Sequence, residues 1–191
     1  MPNHIQSQVE ITGTKEAIDK LVKATKLRRT TTAAENYFDF NGIVKMPPEL
    51  NDTVSPPQVV ETQEEADKIN AEHKEFPGIG PVKAITVAES ERRLKEYGAN
   101  TWLEWAYRNW GTKWNAYSVR YIGGNDITLV IEISTAWGTP TAIWDALEAQ
   151  GYRVRGVCFG EMEGYEWINE GQEAFDAYVE VDIEYVGGGL S

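Results

Sequence analysis

Positive charge is missing from the last part of this chain. After Arg155 there is no lysine, arginine or histidine, against nine acids. Cysteine is nearly absent too. Cys158 is the only one, so no internal disulfide is possible, which agrees with a reducing compartment. Histidine is limited to His4 and His73. A zinc site of standard type is therefore not expected, and a Ser-His-Asp or Cys-His site would have to use one of these two histidines. No stretch approaches the roughly 20 apolar residues of a membrane helix. The opening MPNHIQSQ has no basic-then-apolar leader pattern, so a cytoplasmic protein is expected. Gly78-Ile-Gly80 and Gly187 to Gly189 lack the strand-to-helix setting and the Lys-Ser/Thr pair of a phosphate-cradling loop. No cofactor, no metal ligand set and no catalytic residue can be assigned.

What is present is an ordinary globular composition, 41 % apolar and 25 % charged, with seven tryptophans. The formal net charge is −12 and it is unevenly spread. Before Thr30, six basic residues face three acids. A field dominated by carboxylates repels a nucleic-acid backbone and attracts basic surfaces.

The hydrophobic pattern predicts an α+β fold. Residues 5–12 alternate, with Ser7, Val9 and Ile11 on one side of a half-buried strand. Thr14 can cap a helix whose inner stripe is Ile18, Leu21 and Val22. A segment from 45 to 86 follows, with Pro47, Pro48, Pro56 and Pro57 and a capping box at Thr62. It reads as an insertion within a single domain spanning 1–191, too short to bury its own core. Helices are expected from Ala88 to Gly98 and from the capping box at Thr101 to Gly111. A hairpin over 116–134 turns at residues 123–126. Thr139-Pro140 opens a helix with Ile143, Trp144 and Leu147 inward. Strands follow over 152–159, with Gly156 as a bulge, and 163–169.

Phe175 to Tyr185 alternates without a break, apolar on one side and Asp176, Glu180, Asp182 and Glu184 on the other. Residues 187–191 read as a flexible tail. The element order, without the insertion, is β-α-β-β-α-β. That is the ferredoxin-like split βαβ arrangement, an antiparallel sheet with helices on one face, here with a helical insertion after the first βα unit and extra C-terminal strands.

Four segments together carry a resemblance: MPNHIQSQVEITG, FDFNGIVKMPPEL, NWGTKWNAY and ISTAWGTPTAIWDALEAQGY. The chain resembles the YubB-like proteins with a ferredoxin-like domain, which phages, prophages and plasmids encode. The resemblance covers most of the chain outside the insertion and tail. It implies the fold, a mobile-element origin and hence a bacterial host. It implies no reaction and no functional residues.

Two functional expectations follow. The first is an accessory protein that binds a host protein with a basic surface, without direct contact to nucleic acid or membrane. Glu163, Glu166, Asp176, Glu180, Asp182 and Glu184 would form the acidic contact face and imitate phosphates toward a host defence protein. The second is a small-ligand binder or enzyme with a pocket at Trp110, Lys113, Trp114 and Trp137. There a lysine beside aromatics would hold an anionic, nucleotide-like molecule.

Overall fold

The structure, a computed structural model, describes residues 3–32, 35–51, 53–72, 83–160 and 164–168. In chain order its elements are β1 (His4–Thr12), α1 (Lys15–Thr25), β2 (Gln58–Val60), α2 (Gln63–Glu72), β3 (Ala84–Thr86), α3 (Val87–Tyr97), α4 (Trp102–Asn109), β4 (Tyr117–Asn125), β5 (Thr128–Ala136), α5 (Thr141–Ala149), β6 (Arg153–Gly160) and β7 (Gly164–Ile168). The fold is α+β. The chain divides into two compact units, Met1–Val44 with Gly111–Ser191, and Lys45–Trp110. The inserted unit is therefore longer than the 45–86 expected, because α3 and α4 belong to it.

The first unit is built on a five-stranded sheet in the order β4-β5-β1-β6-β7, antiparallel at every pairing. β1 lies inside the sheet and is paired along its length with β5 and β6. Its odd residues Ile5, Ser7, Val9 and Ile11 are buried, and so are their partners Leu129, Ile131 and Ile133 on β5. α1 buries Ile18 and Leu21, and α5 buries Ile143, Trp144 and Leu147. Phe38 and Phe40, both fully buried, complete this core. Their rings meet edge-on, and Phe38 packs against Trp144. Burying each large aliphatic side chain of this kind contributes about 1.5–3 kcal/mol. The even face of β1 is more exposed and holds ion pairs instead, Arg155 to Glu10 at 2.6 Å and, farther out, Arg120 to Glu132 at 3.2 Å.

Local rules explain the helix ends. The Thr14 hydroxyl accepts from the Ala17 amide at 3.2 Å at the start of α1. Gly98 caps α3 in the left-handed region. Thr139, expected to cap α5, does not. Pro140 occupies the cap position without a side-chain bond, and the Thr139 hydroxyl donates to Glu166 instead. Gly156 is not a bulge either. It stays in register opposite Val9, and the sheet's irregularities fall in β4. The physical reason for glycine is space: a Cβ there would lie 2.2 Å from the Gln8 carbonyl oxygen.

Within the inserted unit a set of apolar side chains is buried. Leu50, Ala66, Ala84, Ile85, Ala106, Trp105 and Trp110 are buried. β2 and β3 form a parallel pair joined through α2, a small crossover motif that the proline-rich segment did not announce. The Asn70 side chain clamps β3 by accepting from the Ala84 amide at 2.7 Å and donating to its carbonyl at 3.1 Å. On α3, Arg92 pairs with Glu49, Glu89 and Glu96, and Arg93 with Glu89. The hydrogen bond from Arg92, then that from Arg93, hold the Glu89 carboxyl down at about 2, against the opposing effect of desolvation.

Two predictions follow from these contacts. Gly156→Ala should destabilise the first unit by about 1–3 kcal/mol, the usual range for overpacking, read as a fall in the urea midpoint. For Glu89 the folded-state pKa lies below the unfolded value near 4.5. Its stabilisation is therefore complete above that pH and is lost as pH falls toward 2. Glu89→Gln should flatten this part of an acid-unfolding curve. A curve of unchanged shape would refute it.

Candidate functional site: an aromatic clamp at the end of β5

The functional candidate is built where β5 ends and the loop 111–116 runs alongside it. Backbone hydrogen bonds join the two. The Lys113 amide donates to the Ala136 carbonyl at 3.0 Å, and the buried Thr112 hydroxyl donates to the same oxygen at 2.8 Å. The approach is close enough to exclude side chains at two positions. A Cβ on Gly138 would lie 2.4 Å from the Gly111 carbonyl oxygen, and one on Gly111 would lie 2.8 Å from that of Thr139. Asn115 fixes the far end of the loop. Its carbonyl oxygen accepts from the Phe40 and Ala116 amides, each at 2.9 Å, and its amide donates to Asp39 at 2.8 Å. Asp39 also receives Lys26 at 2.6 Å. Its pKa lies below the usual range. Desolvation, the largest effect, works against that and is outweighed by hydrogen bonds from Lys26, Asn115 and Asn41.

With Gly111, Thr112 and Asn115 holding the loop, Lys113 and Trp114 are left to project. Trp137 meets them from the end of β5. The Lys113 ammonium sits 3.7 Å from the Trp137 ring centre and 4.8 Å from that of Trp114. Both lie well inside the roughly 6 Å reach of a cation–π interaction, worth about 0.5–1 kcal/mol at an exposed site. Trp114 is 41 % exposed and Trp137 47 %. Trp102, Trp105, Trp110 and Trp144 are all more covered, so this pair departs from the packing role tryptophan takes elsewhere among the described residues. Trp137 also has φ +67°, a left-handed conformation rare for a bulky side chain and costing about 1–2 kcal/mol. Its amide is tied to the Asn3 carbonyl at 2.8 Å, and the Thr135 hydroxyl donates to the Gly138 carbonyl at 2.8 Å.

Around the clamp stand residues that carried no functional expectation. The Tyr117 hydroxyl donates to the Thr135 carbonyl at 3.0 Å and pairs with His4 Nδ1, the two rings meeting edge-on. Burial pushes the Tyr117 phenol up. Thr139, two residues beyond Trp137, donates to Glu166 at 3.2 Å. The alternation in His4-Ile5-Gln6-Ser7 could have placed His4 on β1, but only the register with Ala136 brings it to the end of β5.

The structure brings together three of the four proposed pocket residues. The fourth is Trp110. It belongs to the inserted unit and is buried edge-on against Trp105, with ring centres 5.5 Å apart. Of the six proposed acids, Glu166 is exposed on β7. Glu163, Asp176, Glu180, Asp182 and Glu184 lie outside the described residues, as do the whole closing alternating segment and the tail.

Burial, the largest effect, pushes the Cys158 thiol up to about 11, and the nearby Glu166 charge adds to it. Its sulfur lies 3.0 Å from the Ser7 hydroxyl in the core. A protonated, buried thiol is a poor nucleophile. Among the described residues, no three His, Cys, Asp or Glu side chains gather as a metal set, and no helix is long and apolar enough to cross a membrane. The inserted unit has a cavity of about 230 Å³ lined partly by Glu49, Asn70, Lys83 and Arg93. Its Arg93 guanidinium is already engaged by Glu89 and by the Asn100 carbonyl.

Comparison with protein-family models, curated proteins and solved structures finds no match to this chain.

The strain at Trp137 is directly testable. Trp137→Gly should leave the unfolding free energy from urea titration unchanged or raise it by up to about 1 kcal/mol, because glycine adopts φ +67° freely. A loss above about 1 kcal/mol would mean that the indole acts as core packing.

Proposed function

We propose that this chain is a non-catalytic binding protein that captures a host protein with a basic surface, and that the Trp114–Trp137 clamp with Glu166 beside it is the anchoring part of its contact face. In keeping with the YubB-like resemblance, it would serve a phage or plasmid in a bacterial cytoplasm. The ferredoxin-like reading belongs to the same proposal. It is supported by the strand order β4-β5-β1-β6 and by α1 and α5 falling in the connections on either side of the β4–β5 hairpin.

The observation that carries the proposal is the exposure of two tryptophans side by side, one of them on strained backbone. Tryptophan dominates binding hot spots, and strain of this kind gathers at functional positions. The charge argues for a basic partner. The chain carries −12, and its last 36 residues carry acids without a single base. In this reading those carboxylates steer the encounter and the indoles supply the anchor. The closing acids would then occupy a groove built for phosphates.

A second reading has its own support. The Lys113 ammonium lies between two aromatic faces, a combination that can hold the phosphate and base of a nucleotide-like ligand. A thermal-shift screen against nucleotides tests it. A shift that Lys113→Ala removes would favour this reading over the first.

For the first reading, a captured partner should be lost to salt, with affinity falling steeply as ionic strength rises. Trp114→Ala and Trp137→Ala should each weaken capture about thirtyfold, the ~2 kcal/mol of a hot-spot residue, with the far-ultraviolet dichroism intact. Glu166→Lys should weaken it further. Capture that survives all three changes would overturn the assignment of the clamp.

A further inference from the structure

We infer that Lys113 is an internal occupant of the clamp and that an arginine side chain of the partner takes its place on binding. This rests on the basic-partner reading above and names the group that is recognised.

Three observations lead to it. Among the described residues Lys113 has no carboxylate within salt-bridge distance, although the chain holds 30 acids against 18 bases. Its ammonium rests instead on two indole faces at 3.7 and 4.8 Å. The location of this charge marks what the clamp accepts, a cation lying over two aromatic rings. Finally, both rings remain over two-fifths exposed with Lys113 in position, so the lysine covers the clamp only in part.

Exchange is favoured by the chemistry of the two cations. A lysine ammonium is compact and strongly hydrated on a flexible stem, and lies on an aromatic face as a point charge. A guanidinium is planar, more weakly hydrated, and stacks flat against an indole. Lys113, released, would swing its ammonium into water on its four-carbon stem, where it remains fully solvated. Glu166, hydrogen-bonded by Thr139 close to Trp137 in sequence, adds a carboxylate to this end of the sheet. An arginine is therefore matched by aromatic faces and by the sign of the surrounding charge.

The sign of the effect of Lys113 separates this inference from its rivals. An internal occupant competes with a cation, whereas a ligand-contacting lysine assists an anion. Titration calorimetry with a blocked hexa-arginine peptide in about 0.15 M salt provides the test. Lys113→Ala should bind the peptide about two- to fivefold tighter than the parent chain, the loss of one competing cation–π contact. Lys20→Ala, an equal change in net charge on the exposed side of α1, should leave the affinity unaltered. Trp137→Ala in the Lys113→Ala chain should abolish the gain. Equal tightening in Lys113→Ala and Lys20→Ala would overturn the internal-occupant inference and leave the basic-partner reading standing. Absence of peptide binding in every chain would overturn both. Binding of ATP by the parent chain, lost in Lys113→Ala, would overturn the inference in favour of the anionic-ligand reading.

Discussion

The register of β1 between β5 and β6 is the constraint on which the rest of the first unit depends. Because side chains alternate, a slip of one residue would expose Ile5, Val9 and Ile11 and bury Gln6, Gln8 and Glu10. Gly156 makes the pairing on the β6 side possible by letting two backbones approach where a Cβ would collide. On the β5 side, the same register sets His4 against Ala136. That brings the Asn3 carbonyl to the Trp137 amide. The candidate corner is thus a consequence of sheet pairing that runs the length of β1 through the core.

The clamp follows from a division of labour within two short segments. In NWGTKWNAY, glycine allows backbone contact, threonine and asparagine satisfy buried carbonyl and amide groups, and lysine and tryptophan remain available. In TAWGTP the pattern repeats, with Thr135 and Gly138 holding the turn and Trp137 projecting. The polar side chains that look most reactive in these motifs are structural. The residues presented to solvent are the bulky aromatics and the one cation. A rigid strand end with a stitched loop gives these three side chains a defined geometry, which suits recognition better than a free loop would.

How much of this was legible in the sequence depended on how local the determining interaction was. The strands β1, β5 and β6, the helices α1, α3, α4 and α5 and most of the caps could be read, because period and capping are local signals. Lys113 and Trp114 could be singled out as neighbours of a helix end. The exchange of roles at Thr139 could not, since its partner Glu166 is 27 residues away. That Trp110 falls in the other unit could not be read, for a related reason. It is three residues from Lys113 in sequence, yet the boundary between the two units falls at Gly111, and a boundary of that kind has no periodic signature. The inserted unit was underestimated because its parallel β2–β3 pair is three residues long and flanked by prolines. A strand so short carries too little alternation to be recognised, and only the Asn70 clamp and the crossover through α2 make it one.

The strongest argument for function at the clamp is that local rules are broken there twice, at one residue. Trp137 keeps a bulky side chain at a φ that favours glycine, and keeps nearly half of that side chain in water. Each feature alone costs free energy without an evident return in the folded chain. A glycine would relieve the first and a polar residue the second, while the amide bond to Asn3 needs neither indole nor Cβ. Trp114 reinforces the point, because two exposed indoles converge on one cation instead of burying themselves separately. Positions where local preference and observed conformation disagree are where a sequence serves something besides folding. At this position the ring faces a lysine that has no acidic partner among the described residues. Stability of the first unit therefore does not account for the choice of tryptophan, whereas the cation recognition proposed above would.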